Sequence, residues 1–207
     1  MNTLIKRAML AAGITTAMVL PLAGRASDGM ITFTGAVTAS TCTVNVNGAG
    51  SANATVALPT VDTAALSGAA GTATTASQQT AAGTFFNVVL SDCSAATDIG
   101  DPAAAPTTVA IYFEAGATVD EGTGGLINTA GTGVGYSNVE VKLYNASGSS
   151  VVGTQIMPGT PTNQPTALTI ANGGGTQWFY AGYATLGTTA ATAGAVSTYV
   201  TYSLVYN

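Results

Sequence analysis

The chain ends in the stretch YVTYSLVYN, residues 199–207, and this stretch decides the fold class. Large apolar side chains alternate with smaller or polar ones, as in a β-strand with one buried face. Near the start, ITFTGAV at residues 31–37 has the same design. The first stretch lies in a loose tail, and nothing follows the second that could pair with its edge. We therefore predict an all-β protein with an open apolar edge and a tail ready to form a strand.

The first 26 residues have the composition of an export signal rather than of a folded segment. Lys6 and Arg7 supply positive charge, residues 8–22 are apolar but short for a membrane span, and small residues precede Ser27. An uncleaved anchor is the alternative, but no stop-transfer pattern follows. We expect cleavage before Ser27, export from the cytoplasm, and no membrane-spanning helix elsewhere in the chain.

Removal of this signal leaves Lys142 as the only cation beside nine acidic residues, a net charge of −8. One cation cannot neutralise a series of phosphates, so nucleic acid is excluded as a partner and anionic membranes are disfavoured. The chain has no histidine, and no arginine follows Arg25. Ser-His-Asp and Cys-His catalysis and the usual zinc sites are therefore excluded. We predict no enzyme activity, no metal and no cofactor.

Cys42 and Cys93 are the only cysteines, and both follow the export signal. In an oxidising compartment two cysteines allow a single intramolecular bridge. Closing a loop of this length contributes roughly 4 kcal/mol by the chain-entropy model. A catalytic or metal-binding pair is the alternative, but CxxC spacing and histidine are both lacking. We predict a structural disulfide that joins the first core strand to the strand before Cys93.

Strand patterns recur along the chain, with turn residues between them. They cover residues 42–46, 54–58, 85–90, 107–114, 139–144, 151–152, 167–171, 178–183 and 199–207. Residues 61–66 fit a single helical turn. In residues 139–144 the alternation predicts that the valines and leucine face inward, and that Glu140 and Lys142 face outward. The predicted fold is one antiparallel β-sandwich of the immunoglobulin-like type.

Two pairs of loop carboxylates are the remaining candidates for a glycosidase acid pair or a calcium site. They are Asp98 with Asp101, and Asp120 with Glu121. Both pairs lie in Gly-rich or Pro-rich loops, without EF-hand spacing or apolar neighbours that would raise a pKa, so we interpret them as solvated. Trp178, Tyr180 and Tyr183 could stack on a sugar, but aromatic residues on a strand more often fill a core.

The chain resembles the subunits of chaperone–usher fimbriae and is similar to the major pilins of the type 1-like group. The features that carry the resemblance are DGMITFTGAV at 28–37 followed by Cys42, VALPTV at 56–61, LSDC at 90–93, the penultimate Tyr206, and Gly194 as the fourteenth residue from the end. Together they extend over essentially the whole chain after the export signal.

The resemblance implies an incomplete immunoglobulin-like β-sandwich, the pilin fold, which lacks its seventh strand and is completed by donor-strand exchange. Its domain plan would be a signal peptide at 1–26, a donor-strand extension at 27–40 and a pilin domain at 41–207. The donor residues would be Ile31, Phe33, Gly35 and Val37. The acceptor groove and chaperone-recognition residues would be Gly194, Val200, Tyr202, Leu204 and Tyr206.

The resemblance also implies the partners and the location. Identical or homologous pilins would join head to tail, a periplasmic chaperone would lend a strand, and an outer-membrane usher would export the fibre. The chain would then be a fimbrial subunit on the cell surface that supports adhesion. A carbohydrate-binding tip adhesin is the alternative, although such adhesins usually carry a separate lectin domain and no donor tail. A further alternative is that residues 31–37 and 200–206 are ordinary strands that pair within their own domain.

Overall fold

The structure is a computed structural model of the whole chain. The residues that it describes are 41–66, 82–94, 97–98, 101–102, 106–131, 136–186 and 189–206. By its internal contacts the chain divides into two units, Met1–Ala36 and Val37–Asn207, and the described residues all belong to the second. The predicted export signal and the predicted donor residues Ile31, Phe33, Gly35 and Val37 lie outside the described residues.

The described residues are almost entirely β-structure and loop, with short 3-10 turns at Thr63–Leu66, Tyr136–Asn138 and Pro161–Asn163. The strands are β1 Thr41–Val46, β2 Gly83–Ser94, β3 Thr97–Asp98, β4 Asp101–Pro102, β5 Thr108–Phe113, β6 Val119–Asp120, β7 Gly125–Ile127, β8 Val139–Ser147, β9 Val151–Ile156, β10 Leu168–Thr169, β11 Gly175–Thr185 and β12 Tyr202–Tyr206. Within these ranges, no helix is long and apolar enough to cross a bilayer.

The strands form two main antiparallel sheets, as the sequence predicts. The larger sheet has the order β1-β2-β11-β8-β7-β6, and β9 pairs with β8 beyond the end of β7. The smaller sheet has the order β10-β5-β12, so the last strand lies at its edge. β3 and β4 form a separate short hairpin. The arrangement is an incomplete immunoglobulin-like sandwich in which β12 has one paired edge.

The core lies between the two sheets and is built from alternate residues of each strand. Val109, Ile111 and Phe113 of β5 are buried, while the residues between them are half-buried. The Phe113 ring meets the Phe179 ring of β11 edge to face, with centroids 5.3 Å apart. Each such side chain contributes roughly 1.5–3 kcal/mol when it leaves water, so this contact does much to hold the sheets together.

The predicted disulfide is confirmed, and it joins β1 to β2. β1 pairs with β2 from Val46↔Val88 to Thr41↔Ser94, with an irregularity between Thr41 and Thr43. Cys42 lies at this irregularity, and its bridge closes the end of the ladder. The first residues of the body are therefore tied covalently to an inner strand of the larger sheet.

The prediction that Glu140 and Lys142 of β8 are on the solvent side is wrong, because both side chains are buried. The Lys142 Nζ lies 3.4 Å from Glu140 Oε1, and the Thr123 hydroxyl donates to Glu140 Oε2 at 2.8 Å. The same face of the sheet carries Tyr144 and Tyr180, whose ring centroids are 6.1 Å apart. Alternation correctly predicts which residues share a face, but it does not say whether that face is covered.

Candidate strand-accepting groove

The last strand is joined to the body along one edge only. Within β12, Tyr202 pairs with Phe113 and Tyr206 pairs with Val109, both on β5. Upstream of β12 the chain continues alongside the body without a regular ladder. There the Glu114 N–H donates to the Thr201 carbonyl at 2.9 Å, and the Thr118 hydroxyl donates to the Tyr199 carbonyl at 2.6 Å. The strand predicted at 199–207 therefore begins as an extended segment and becomes a paired strand from Tyr202 to Tyr206.

Asn128 holds the beginning of this segment. Its Oδ1 accepts the N–H groups of Ser197 and Ala130, each at 3.0 Å, and its Nδ2 donates to the Ala195 carbonyl at 2.9 Å. The side chain is fully buried, so these bonds form away from water. One side-chain amide thus supplies the donor and the acceptor that a neighbouring strand would otherwise provide. No local sequence pattern distinguishes Asn128 from other polar loop residues.

The final segment, residues 195–206, is hydrogen-bonded to the body along one edge, and within the described ranges its other edge is free. Ser197, Tyr199 and Thr201 direct their carbonyls toward the body, so the residues between them direct their backbone groups to the opposite edge. Among the described residues, no strand pairs with that edge. The side chains of the intervening apolar residues face the core and are only half-buried. These residues are Val196, Val200, Tyr202, Leu204 and Tyr206.

A second extended segment, earlier in the chain, also packs apolar side chains against the core. Val56 and Leu58 are half-buried against the core, while Ala57 between them is exposed. The strand predicted at 54–58 is nevertheless wrong, because these residues belong to no ladder. Side chains hold the segment instead, including a bond of 2.8 Å from the Thr84 hydroxyl to the Ala57 carbonyl. We call residues 52–63 the first wall and residues 192–206 the second wall.

The two walls enclose a cleft of ≈ 470 Å³ at one end. Leu58 and Val61 line it from the first wall, and Gly194 and Val196 line it from the second wall. Val139 and Tyr183 are also part of its lining. In the described part of the chain, no backbone hydrogen bond connects the first wall to the second. The two walls therefore flank a groove that has half-buried apolar side chains on both sides and a free strand edge on one.

A family model of fimbrial proteins matches residues 31–207. The chain belongs to the fimbrial protein family. It is 34% identical to the major fimbrial subunit SMF-1 of Stenotrophomonas maltophilia (strain K279a) over 190 residues, which cover 90% of this chain and 97% of the relative. It is also 34% identical to the F17 fimbrial protein of Escherichia coli over 181 residues, 87% of this chain and 88% of the relative.

A solved chaperone–usher pilus structure has the same fold as this fimbrial protein. The TM-score is 0.51 at 20% sequence identity, and the match covers 87% of this chain and 96% of that chain. The incomplete immunoglobulin-like architecture predicted from the sequence is therefore confirmed by the strand order and by the likeness of fold.

The structure of this fimbrial protein brings the predicted acceptor residues together along one wall. Gly194 lines the cleft, and Val200, Tyr202, Leu204 and Tyr206 pack against the core beside the free edge. Their role in accepting a strand stays a prediction.

The alternative ligand sites gain no support from the structure. Asp120 accepts the N–H groups of Gly122 and Thr123 in its own turn, at 2.8 and 3.2 Å. Asp98 and Asp101 are paired residues of the short β3–β4 hairpin. Among the residues that the structure describes, no group of three or more acidic or cysteine side chains is arranged to hold a metal. Of the three aromatic candidates for sugar stacking, Tyr180 is fully buried, and Trp178 and Tyr183 are half-buried.

Among the described tyrosines, burial raises the pKa of four phenols, two of them beside the groove and two on the opposite face of the larger sheet. It raises the pKa of Tyr183 and of Tyr202, which keeps both hydroxyls protonated as hydrogen-bond donors. Burial, and then the charge of Glu140, raises the pKa of Tyr144. Burial, and then Tyr144, raises the pKa of Tyr180 to about 12. The fold therefore favours neutral tyrosine side chains.

We expect the stability of this protein to fall at alkaline pH. The pKa values of the buried phenols are higher in the folded state than the ordinary tyrosine pKa of 10. Their contribution to the free energy of unfolding is therefore complete below pH 10 and is lost as the pH rises toward about 12. Because the chain has no histidine, stability should be nearly constant between about pH 6 and 9. Thermal unfolding followed by circular dichroism across this range tests both statements. A midpoint that is unchanged up to pH 12, or that falls between pH 6 and 8, would contradict them.

Proposed function

We propose that this fimbrial protein is a structural subunit of a chaperone–usher fimbria and that it polymerises by donor-strand exchange. Residues 31–37 of one copy would lie between the first and second walls of the next copy. The observation that supports this proposal most directly is the free edge of the second wall, which borders apolar side chains that remain half-buried. Addition of a strand at such an edge satisfies backbone groups and covers side chains at the same time.

The chemistry of the proposed donor segment fits the groove. In an extended strand, Ile31, Phe33 and Val37 would lie on one side, because side chains alternate. Their burial contributes roughly 5–9 kcal/mol, at about 1.5–3 kcal/mol for each side chain. Backbone hydrogen bonds to the free edge add about 1 kcal/mol each. Gly35 would lie on the same side, where it would leave room for close approach of the two backbones.

The remaining parts of the proposal follow from the open edge. An unpaired apolar edge promotes aggregation, so we propose that a periplasmic chaperone covers the groove until the next subunit replaces it, and that an outer-membrane usher receives the complex. Residues 1–26 would be the export signal, 27–40 the donor extension and 41–207 the pilin domain. The name of the SMF-1 relative, a major fimbrial subunit, supports a repeating structural role at the cell surface rather than an enzymatic one.

Purified surface fibres test this proposal. Electron microscopy of the producing cells should show fibres, and a strain that lacks the gene should show none of this type. Mass spectrometry of the fibres should find this chain as the main component by mass, beginning at Ser27 and carrying the Cys42–Cys93 bridge. A stable secreted monomer whose segment 31–37 occupies its own groove would overturn the proposal.

A further inference from the structure

Three tyrosine hydroxyls connect the strands beside the groove to the early part of the chain. The Tyr202 hydroxyl donates to the Ala52 carbonyl at 2.8 Å, and the Tyr183 hydroxyl donates to the Pro59 carbonyl at 3.2 Å. The Cys42 N–H donates to the Tyr206 hydroxyl at 3.1 Å. Tyr202 and Tyr206 lie on β12 and Tyr183 lies on β11, so each bond joins segments far apart in sequence.

Apart from these bonds, few hydrogen bonds among the described residues hold the first wall in position. It belongs to no ladder, and the Thr84 hydroxyl is the other described side chain that donates to a carbonyl within residues 52–59. A tyrosine side chain suits this role, because its ring packs against the core while its hydroxyl binds a backbone group at a fixed distance. Tyr183, Tyr202 and Tyr206 all pack against the core in this way.

We infer that the hydroxyls of Tyr202 and Tyr183 set the position of the first wall, so that the groove admits one strand. Tyr202 joins the second wall directly to the first, and Tyr183 holds the first wall to β11. This inference rests on the proposed function. Paired strands lie about 4.7–4.9 Å apart, so a groove for one strand must be about two such spacings wide. If the first wall moved inward by one spacing, it would pair with the free edge and close the groove. If it moved outward, the donor side chains would lose contact with the core. These tyrosines are therefore positioning residues for strand exchange.

The test replaces Tyr202 by phenylalanine in the full chain, produced by cells that assemble its fibres. This change removes the hydroxyl and keeps the ring. Tyr199→Phe is the matched control, because the Tyr199 side chain on the same segment is 60% exposed. In fibres of Tyr202→Phe, hydrogen exchange of the amides of residues 52–59 should accelerate by about tenfold, the equivalent of one hydrogen bond. Amides of β2 and β11 should exchange as in the wild type, and Tyr199→Phe should leave all three regions unchanged.

The outcomes separate this inference from the proposed function. Wild-type cells without fibres of this chain would overturn both. Normal fibres in which Tyr202→Phe and Tyr199→Phe exchange alike would overturn only the role of the hydroxyls, as would an equal acceleration in β2 and β11. Tyr183→Phe provides a second variant with the same expectation for residues 52–59. Loss of fibres in either variant, with folded and exported subunit still present, would support the inference.

Discussion

Phe33→Asp should abolish fibre growth while the chain is still exported and its body still folds. Donor-strand exchange would place the new carboxylate in an apolar groove without a charged partner, and the burial of the phenyl ring would be lost as well. An unpaired buried charge costs several kcal/mol, which exceeds what one apolar side chain contributes to the exchanged strand. Electron microscopy of the cells, with immunodetection of the periplasmic subunit, measures both parts of the expectation.

Thr34→Asp is the matched control, since it adds the same charge at the neighbouring position. Side chains alternate along a strand, so this carboxylate would point away from the groove and fibres should form. Gly35→Asp should behave like Phe33→Asp, because in the exchanged strand residue 35 would lie on the groove side. Fibres of normal length from Phe33→Asp, or equal loss from Thr34→Asp, would show that residues 31–37 do not act as the donor.

Glu140→Gln should lower the free energy of unfolding by about 3–5 kcal/mol, the usual cost of breaking a buried ion pair by removing one partner. The carboxylate is fully buried and lies 3.4 Å from the Lys142 ammonium, so its removal takes the counter-charge from a buried cation. Denaturant titration of purified fibres, compared with wild-type fibres, measures the change. Glu121→Gln is the control for loss of one acidic charge, because Glu121 is exposed in its turn.

A double variant makes this prediction sharper. Lys142→Met alone should destabilise by a similar amount, because it leaves the carboxylate without the ammonium. The combination E140M/K142M should cost less than either single change, since apolar side chains of similar volume often replace a buried pair without loss. Additive effects of the two changes would mean that Glu140 and Lys142 are not coupled, and would refute the expectation.

The sequence predicts the parts of the fold in which apolar residues alternate and the partner strand lies in the same chain. β2, β5 and β11 were predicted within a few residues of their ends, and the disulfide follows from there being two cysteines in an exported chain. The first wall was not predicted correctly, because Val56 and Leu58 alternate as in a strand while their backbone has no ladder. Alternation reports a half-buried surface, whereas pairing depends on what lies beside it.

The sequence predicts one wall of the groove and not the polar residues that hold that wall in place. The apolar residues of β12 form a pattern, so that wall is visible in the sequence. Asn128 and Thr118 are single polar residues, and each contacts a segment more than 60 residues away. Their importance depends on a tertiary neighbour that no local pattern specifies. The burial of Glu140 was missed in a similar way, because the cover over that face of β8 comes from other parts of the molecule.

The position of the disulfide has a mechanical consequence for a fibre built in this way. The predicted donor extension, residues 27–40, is an arm that directly precedes β1 in sequence. Cys42 is the second residue of this edge strand, and Cys93 lies on β2, which has neighbours on both sides. Tension applied through the arm would reach the interior of the larger sheet through a covalent bond, so β1 would not have to peel away first. The weakest contact under load would then be the non-covalent one between the exchanged strand and the neighbouring subunit. A stretched filament would separate between subunits before any one subunit unfolded.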